Sequence, residues 1–275
     1  MTAPPPALFS LRRRASQQAR RAAAGESDDF IAALIADSLA DRLTMVMRRF
    51  GRALLIGAAP PALATAVAAQ SDQCAAAADV AAASDGDALF DLIVWPGGLE
   101  AVDDVPGALV RVRRMLAPDG LLIGALVGDG SFPLLRRLLV SDGMRAIPRM
   151  HPQIDLKSLG NLLQRAGFAL PVADVEVQTL RYRSWRTVVA DLRAAGLASQ
   201  LAAAPPPLLR AELAALDLAF AAALDPDGRA NEALRLVFFT GWAPHPDQPQ
   251  PARRGSGKSS LAAALREISA DPPES

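Results

Sequence analysis

Two apolar runs, Phe90-Asp91-Leu92-Ile93-Val94-Trp95 and Leu121 to Val127, constrain this chain more than any other feature. Pro96-Gly97-Gly98 closes the first, and Ala117-Pro118-Asp119-Gly120 opens the second. Apolar runs this short, bounded by turn formers, read as strands buried on both faces. Between them Asp103 or Asp104 offers a helix cap, Pro106 suits a first helical turn, and Leu109, Val112 and Leu116 fall on one face. Strand, helix, turn and strand within about 38 residues make a βαβ unit, with parallel strands and a right-handed crossover.

The flanking segments extend the pattern. Ile31, Leu34, Ile35, Leu39, Leu43, Val46 and Phe50 recur at three- and four-residue steps, which predicts a helix over 28–50. Asp28 and Asp29 suit its start, Arg48 and Arg49 its end, and Gly51 a left-handed stop. Ala53-Leu54-Leu55-Ile56 reads as a short strand ending at Gly57, and the alanine-rich stretch 60–83 gives a weak helical signal. Helices are expected over 155–166, 184–195 and 207–224, and strands over 172–182 and 234–239. This alternation predicts an α/β fold with a doubly wound, mostly parallel sheet. A basic arm at 1–27, a main domain at 28–243 and a Pro/Gly/Ser-rich tail with a short helix at 244–275 complete the division.

Composition limits the partners. Basic and acidic residues balance at 29 each, so no global field gathers nucleic acid or an anionic membrane. No apolar run reaches the roughly 18 residues that cross a bilayer, which predicts a soluble chain without membrane insertion. Cys74 is the single cysteine, and no Cys/His cluster has the spacing of a metal site, so we expect no metal and a reducing, cytoplasmic setting. The first residues are Arg-rich and acid-poor, like a transit peptide, but Lys157 and Lys258 are the only lysines and Arg dominates throughout. A docked first helix is the preferred expectation there.

Gly255-Ser256-Gly257-Lys258-Ser259 imitates the end of a phosphate-binding loop, yet Ala252 stands where the first glycine belongs and no strand precedes it, so we read it as a linker. His151 and His245 sit beside prolines, no G-x-S-x-G is present, and both read as loop residues. Trp95, Trp185 and Trp242 read as core or pocket wall. In an open α/β sheet the ligand lies beyond the carboxyl ends of the strands, which directs attention to Gly57, Asp79, Trp95 and Val127.

The order of these elements resembles the class I S-adenosylmethionine-dependent methyltransferases. Val102 to Leu109, Arg114 to Leu121, Asp155 to Phe168 and Phe239 to His245 narrow the resemblance to the branch of the mitochondrial complex I assembly factor, with malonyl-carrier-protein methyltransferase more distant. The resemblance implies a Rossmann-like sheet with an antiparallel C-terminal strand. It implies S-adenosyl-L-methionine as cofactor, bordered by Gly57, Ala58, Asp79 and Trp95, with Glu100 and Asp103 near the acceptor and Glu100 the candidate base. A protein partner in respiratory complex assembly is implied as well.

The chain departs from the family at the expected contacts. The family's D-x-G-x-G-x-G is here Leu55-Ile56-Gly57-Ala58-Ala59-Pro60-Pro61, which keeps the first glycine and loses two N–H donors to proline. Forcing Ala59 into a left-handed turn would cost roughly 1–2 kcal/mol. Asp79 lies 22 residues after Gly57 and 12 before Asp91, so one acid stands where relatives have two, and the sheet is expected to be one edge strand short. Glu100-Ala101 replaces a His-Trp pair of close relatives. A non-catalytic assembly module that retains the fold is the alternative function.

Overall fold

The computed structural model describes residues 7–24, 29–83, 89–150 and 152–247. The imitation phosphate loop at 255–259, the tail helix and His151 lie outside them. Residues up to Pro244 form one compact unit.

The strands are β1 (Phe50–Ile56), β2 (Ser71–Ala77), β3 (Phe90–Trp95), β4 (Leu116–Val127), β5 (Ala169–Tyr182) and β6 (Ala230–Trp242). They make one sheet in the order β2-β1-β3-β4-β6-β5. The pairs β1–β2, β1–β3 and β3–β4 are parallel, while β6 runs antiparallel to both β4 and β5. The helices are α1 (Leu11–Ala24), α2 (Phe30–Met45), α3 (Pro61–Gln70), α4 (Val105–Met115), α5 (Pro133–Leu138), α6 (Leu156–Arg165), α7 (Trp185–Ala194) and α8 (Arg210–Ala221).

Alternation along the strands builds a core on each face of the sheet. Ala53, Leu55, Leu92, Val94, Ile123 and Phe238 meet α2, α3, α7 and α8 on one side. Leu54, Ile56, Ile93, Leu122 and Phe239 meet α4 and α6 on the other. Gly124 in β4 faces Phe239 of β6, and a Cβ there would fall 2.4 Å from the ring, so glycine lets these strands close. The expected βαβ unit stands, with Asp104 capping α4 through Gly107 N–H at 2.9 Å.

Three expectations change. The helix expected over 28–50 stops at Met45, and Val46 turns extended. Phe50, fully buried, opens β1, because the Asp91 carboxylate accepts from the amides of Gly51 and Arg52 at 3.1 and 2.9 Å and draws them onto the sheet. Gly51 accordingly has no positive φ. The alanine-rich stretch 60–83 holds a helix and also β2, whose middle residues are exposed and which lacks the apolar period of a strand. Helix α5 was not expected: its first amides, Leu134 and Leu135, are capped by the buried Glu232 carboxylate at 3.0 and 2.7 Å, a partner almost a hundred residues away.

The edge next to β2 bears out the shortened sheet. Among the described residues no strand pairs with the outer side of β2, and the chain passes through a turn at 79–83 towards β3.

Candidate functional site

The carboxyl ends of β1, β2 and β3 surround one hollow of about 330 Å³, near the lower end of the size range of small-molecule sites. Gly57 ends β1 with φ +86, and its N–H donates to Ala77 O of β2 at 2.8 Å. An added Cβ would lie 3.7 Å from Gly97 O, an ordinary contact. Glycine is therefore required by its backbone conformation and not by crowding.

The chain then avoids the strain that a glycine-rich turn would impose. Ala59 does not take a positive φ. Pro60 instead precedes α3 in an extended conformation, Pro61 takes its first position, and no side chain caps the helix. Ala58 and Ala59 supply amides before the prolines, and Ala62 and Leu63 after them. The turn after β1 thus offers fewer amides than a glycine-rich loop would, while Gly57 keeps its positive φ.

Asp79 borders the hollow just beyond β2 and closes its own turn, accepting from Ala82 N–H through Oδ1 at 2.8 Å. Trp95, 3% exposed at the end of β3, forms part of the wall. Gly98, at φ +90, leads into a 3-10 turn over Leu99–Ala101 that carries Glu100 inward. Glu100 is only 7% exposed, and its Oε2 accepts from Gly98 N–H at 3.1 Å. Burial raises its carboxyl above the ordinary range, while the amides of Glu100 and Gly98 and the charge of Arg14 pull the other way.

Asp103 stands at the rim with a structural task in hand. Its Oδ1 accepts from the amides of Leu8 and Phe9 at 2.6 and 2.9 Å, fastening the N-terminal segment over the hollow. Ser10 N–H donates to Gln200 O, Ala202 N–H donates to Leu8 O, and Phe9 forms a β-bridge with Leu201. The segment thereby delivers Arg14 to the wall. All six sequence-derived positions, Gly57, Ala58, Asp79, Trp95, Glu100 and Asp103, line this one space. Sequence reasoning missed Arg14 and Gln200, because they reach the site only through pairings with distant segments.

Elsewhere, Trp185 donates to Asp217 at 2.8 Å and packs in the core. Among the described residues no group of three or more His, Cys, Asp or Glu side chains could hold a metal ion. No helix of the described residues is long and apolar enough to cross a membrane.

Residues 36–171 match the family model described as methyltransferase domain. The chain is 32% identical over 179 residues to the mitochondrial arginine-hydroxylase NDUFAF5 of Danio rerio, covering 63% of this chain and 56% of that protein. It is also 32% identical over 173 residues to the human protein of that name, covering 61% and 50%. A malonyl-[acyl-carrier protein] O-methyltransferase of Halorhodospira halophila is 32% identical over 167 residues, covering 60% and 56%. The chain spans about half the length of the curated relatives it matches. Among solved structures, the YcgJ protein of Bacillus subtilis superposes with a TM-score of 0.52 at 15% identity, covering 76% of this chain and 99% of that one, a likeness of fold. Sequence match and strand order agree: residues 36–171 match a methyltransferase domain, the sheet has the fold of the methyltransferase-like solved structures, and the chain is similar to NDUFAF5.

Proposed function

We propose that this chain binds S-adenosyl-L-methionine in the hollow above Gly57 and acts on a protein partner during assembly of a respiratory complex. One observation carries the reading: residues from the ends of three strands, chosen from the sequence as cofactor neighbours, line a single space of about 330 Å³. The residues present fit the adenosyl half of the group. Gly57 keeps a bare backbone at the tip of β1, and Asp79 has a carboxylate oxygen beyond the one that closes its turn, suited to ribose hydroxyls. Trp95 and Ile56 contribute apolar wall.

When bound, the cofactor supplies a methyl group activated by its sulfonium. The protein's own share is orientation, which can contribute about 7–11 kcal/mol to such a transfer. Glu100, with its affinity for protons increased by burial, is assigned to take a proton from the acceptor, and Asp103 to hold the roof of the site in place. The relatives' names include an arginine hydroxylase and an O-methyltransferase, two different reactions, so our assignment covers the cofactor, its methyl group and the protein nature of the partner, not the acceptor atom. We assign the protein to the cytoplasm; recovery with sedimented organelles during cell fractionation would overturn that assignment.

Two observations favour a second reading, a non-catalytic assembly module. Two prolines stand where the family's loop presents N–H groups, and the strand beyond β2 is missing among the described residues. Thermal melts separate the two. A cofactor-binding domain melts several degrees higher with millimolar S-adenosylhomocysteine and transfers label from methyl-labelled S-adenosylmethionine to its partner. An unchanged melting temperature and no transferred label would leave the module.

A further inference from the structure

The loop after β1 has lost donors that would meet the polar, amino-acid end of the cofactor, so an anionic group there needs another partner. Arg14 is the only lysine or arginine among the described residues that line the hollow. It enters from α1, whereas most of the rest of the wall comes from the strand ends, α2 and the 195–200 segment. Its Nη2 donates to Ala101 O, and its Nε reaches Gln200 Oε1 at a long 3.4 Å. Guanidinium carries five N–H groups, and the rest of these have no partner among the described residues.

Its position is built. Asp103 holds Leu8 and Phe9, Ser10 bonds to Gln200, and Gln17 donates to Ala198 O at 2.9 Å while accepting from Gln200 Nε2 at 3.0 Å. These contacts fix α1 on both sides of Arg14. The remaining ionisable neighbours in the wall are acids, Asp79, Glu100, Asp103 and Asp104, so among the described lining residues Arg14 is the one positive charge that offsets their repulsion of a carboxylate.

We propose that Arg14 is a carboxylate anchor: its guanidinium receives the α-carboxylate of the amino-acid portion of the ligand, replacing amides lost with Pro60 and Pro61. The inference rests on the adenosyl reading above. It makes the segment at 8–17 part of the binding site and predicts selectivity for adenosyl amino acids over simple thioadenosines.

The test compares two ligands with one adenosyl group. S-adenosylhomocysteine carries the carboxylate, whereas 5′-methylthioadenosine lacks the amino-acid portion altogether. Titration calorimetry on the full chain should show Arg14→Ala weakening S-adenosylhomocysteine at least tenfold, as expected for a hydrogen-bonded charge, with 5′-methylthioadenosine affinity changed less than twofold. Arg14→Lys, which keeps the charge without the fork, should fall between wild type and Arg14→Ala for the first ligand. Equal weakening of both ligands by Arg14→Ala would show that Arg14 only seats the segment, and no weakening of either would also overturn the anchor. Wild-type protein that binds neither ligand would overturn the adenosyl reading together with the anchor. Wild-type binding of both, insensitive to Arg14, would overturn the anchor alone.

Discussion

Glu100 and Glu212 are both almost wholly buried, 7% and 2% exposed, yet the fold treats them in opposite ways. Glu212, in the first turn of α8, accepts from Arg145 Nε and Nη2 at 2.8 Å each, from the Arg145 amide at 3.1 Å and from Leu209 N–H at 2.8 Å. Arg149 stands 3.6 Å away. Above all the Arg145 hydrogen bonds hold its carboxyl down at about 2. Glu100 has Gly98 N–H and its own amide, and only the more diffuse field of Arg14, and burial wins. Where the task is to tie the 140s loop to α8, an arginine fork satisfies the charge. At the hollow the carboxylate is left under-satisfied, the condition in which a side chain can exchange a proton or meet a ligand.

The comparison breaks most visibly if Glu212 is removed. Glu212→Ala leaves Arg145 and Arg149 without their shared acid, and a thermal melt should fall by several degrees, a larger drop than substitution of Glu100 or Gly57 produces. A melting temperature unchanged within error would mean that this network contributes nothing.

Titration sharpens the contrast. A carboxyl with a lowered folded pKa stabilises above its unfolded value near 4.5, and that contribution is lost as pH falls towards about 2. One with a raised folded pKa does the reverse: its contribution is complete below about 4.5 and disappears as pH rises through the folded value. Glu212→Gln should therefore flatten the acid limb of the melting profile, and Glu100→Gln should flatten a decline on the other side of pH 4.5. Identical effects on both limbs would contradict the assignment.

A smaller effect is expected at the tip of β1. Gly57→Val must adopt φ +86 with a branched side chain, at a cost of about 1–2 kcal/mol in stability. Because an added Cβ meets only an ordinary contact, the variant should fold, while S-adenosylhomocysteine binding falls at least tenfold from a side chain in the adenosyl path. The smallest stability change belongs to Glu100→Gln at neutral pH, within about 1 kcal/mol of wild type, since no ion-pair fork is lost. A loss like that of Glu212→Ala would show that Glu100 is a structural acid after all.

How much of this was legible in the sequence depended on whether the signal was local. Phe90–Trp95 is read as a buried strand because its determinants lie within and beside it, Gly57 is read as a site residue from its place at a strand end, and Asp79 from the spacing that the family resemblance implies. Strand β2 hides because Ser71–Ala77 is an edge segment, held by backbone pairing to β1 and not by an apolar pattern. Phe50 looks helical by spacing and becomes a strand residue because Asp91, forty positions away, recruits the neighbouring amides. Asp103 is recognisable as an acid near the pocket, but its grip on Leu8 and Phe9 is not, since backbone amides leave no trace in residue identity. Arg14 is one arginine among many until Ala101 and Gln200 are brought to it.

The most direct measurement is a calorimetric titration of the wild-type chain with S-adenosylhomocysteine at neutral pH. Saturable heat at a stoichiometry of about one per chain, with a Kd below the millimolar range, is the predicted result for an intact adenosyl site. A flat titration up to several millimolar ligand would contradict it, and the space above Gly57 would then be a remnant of the fold without a cofactor.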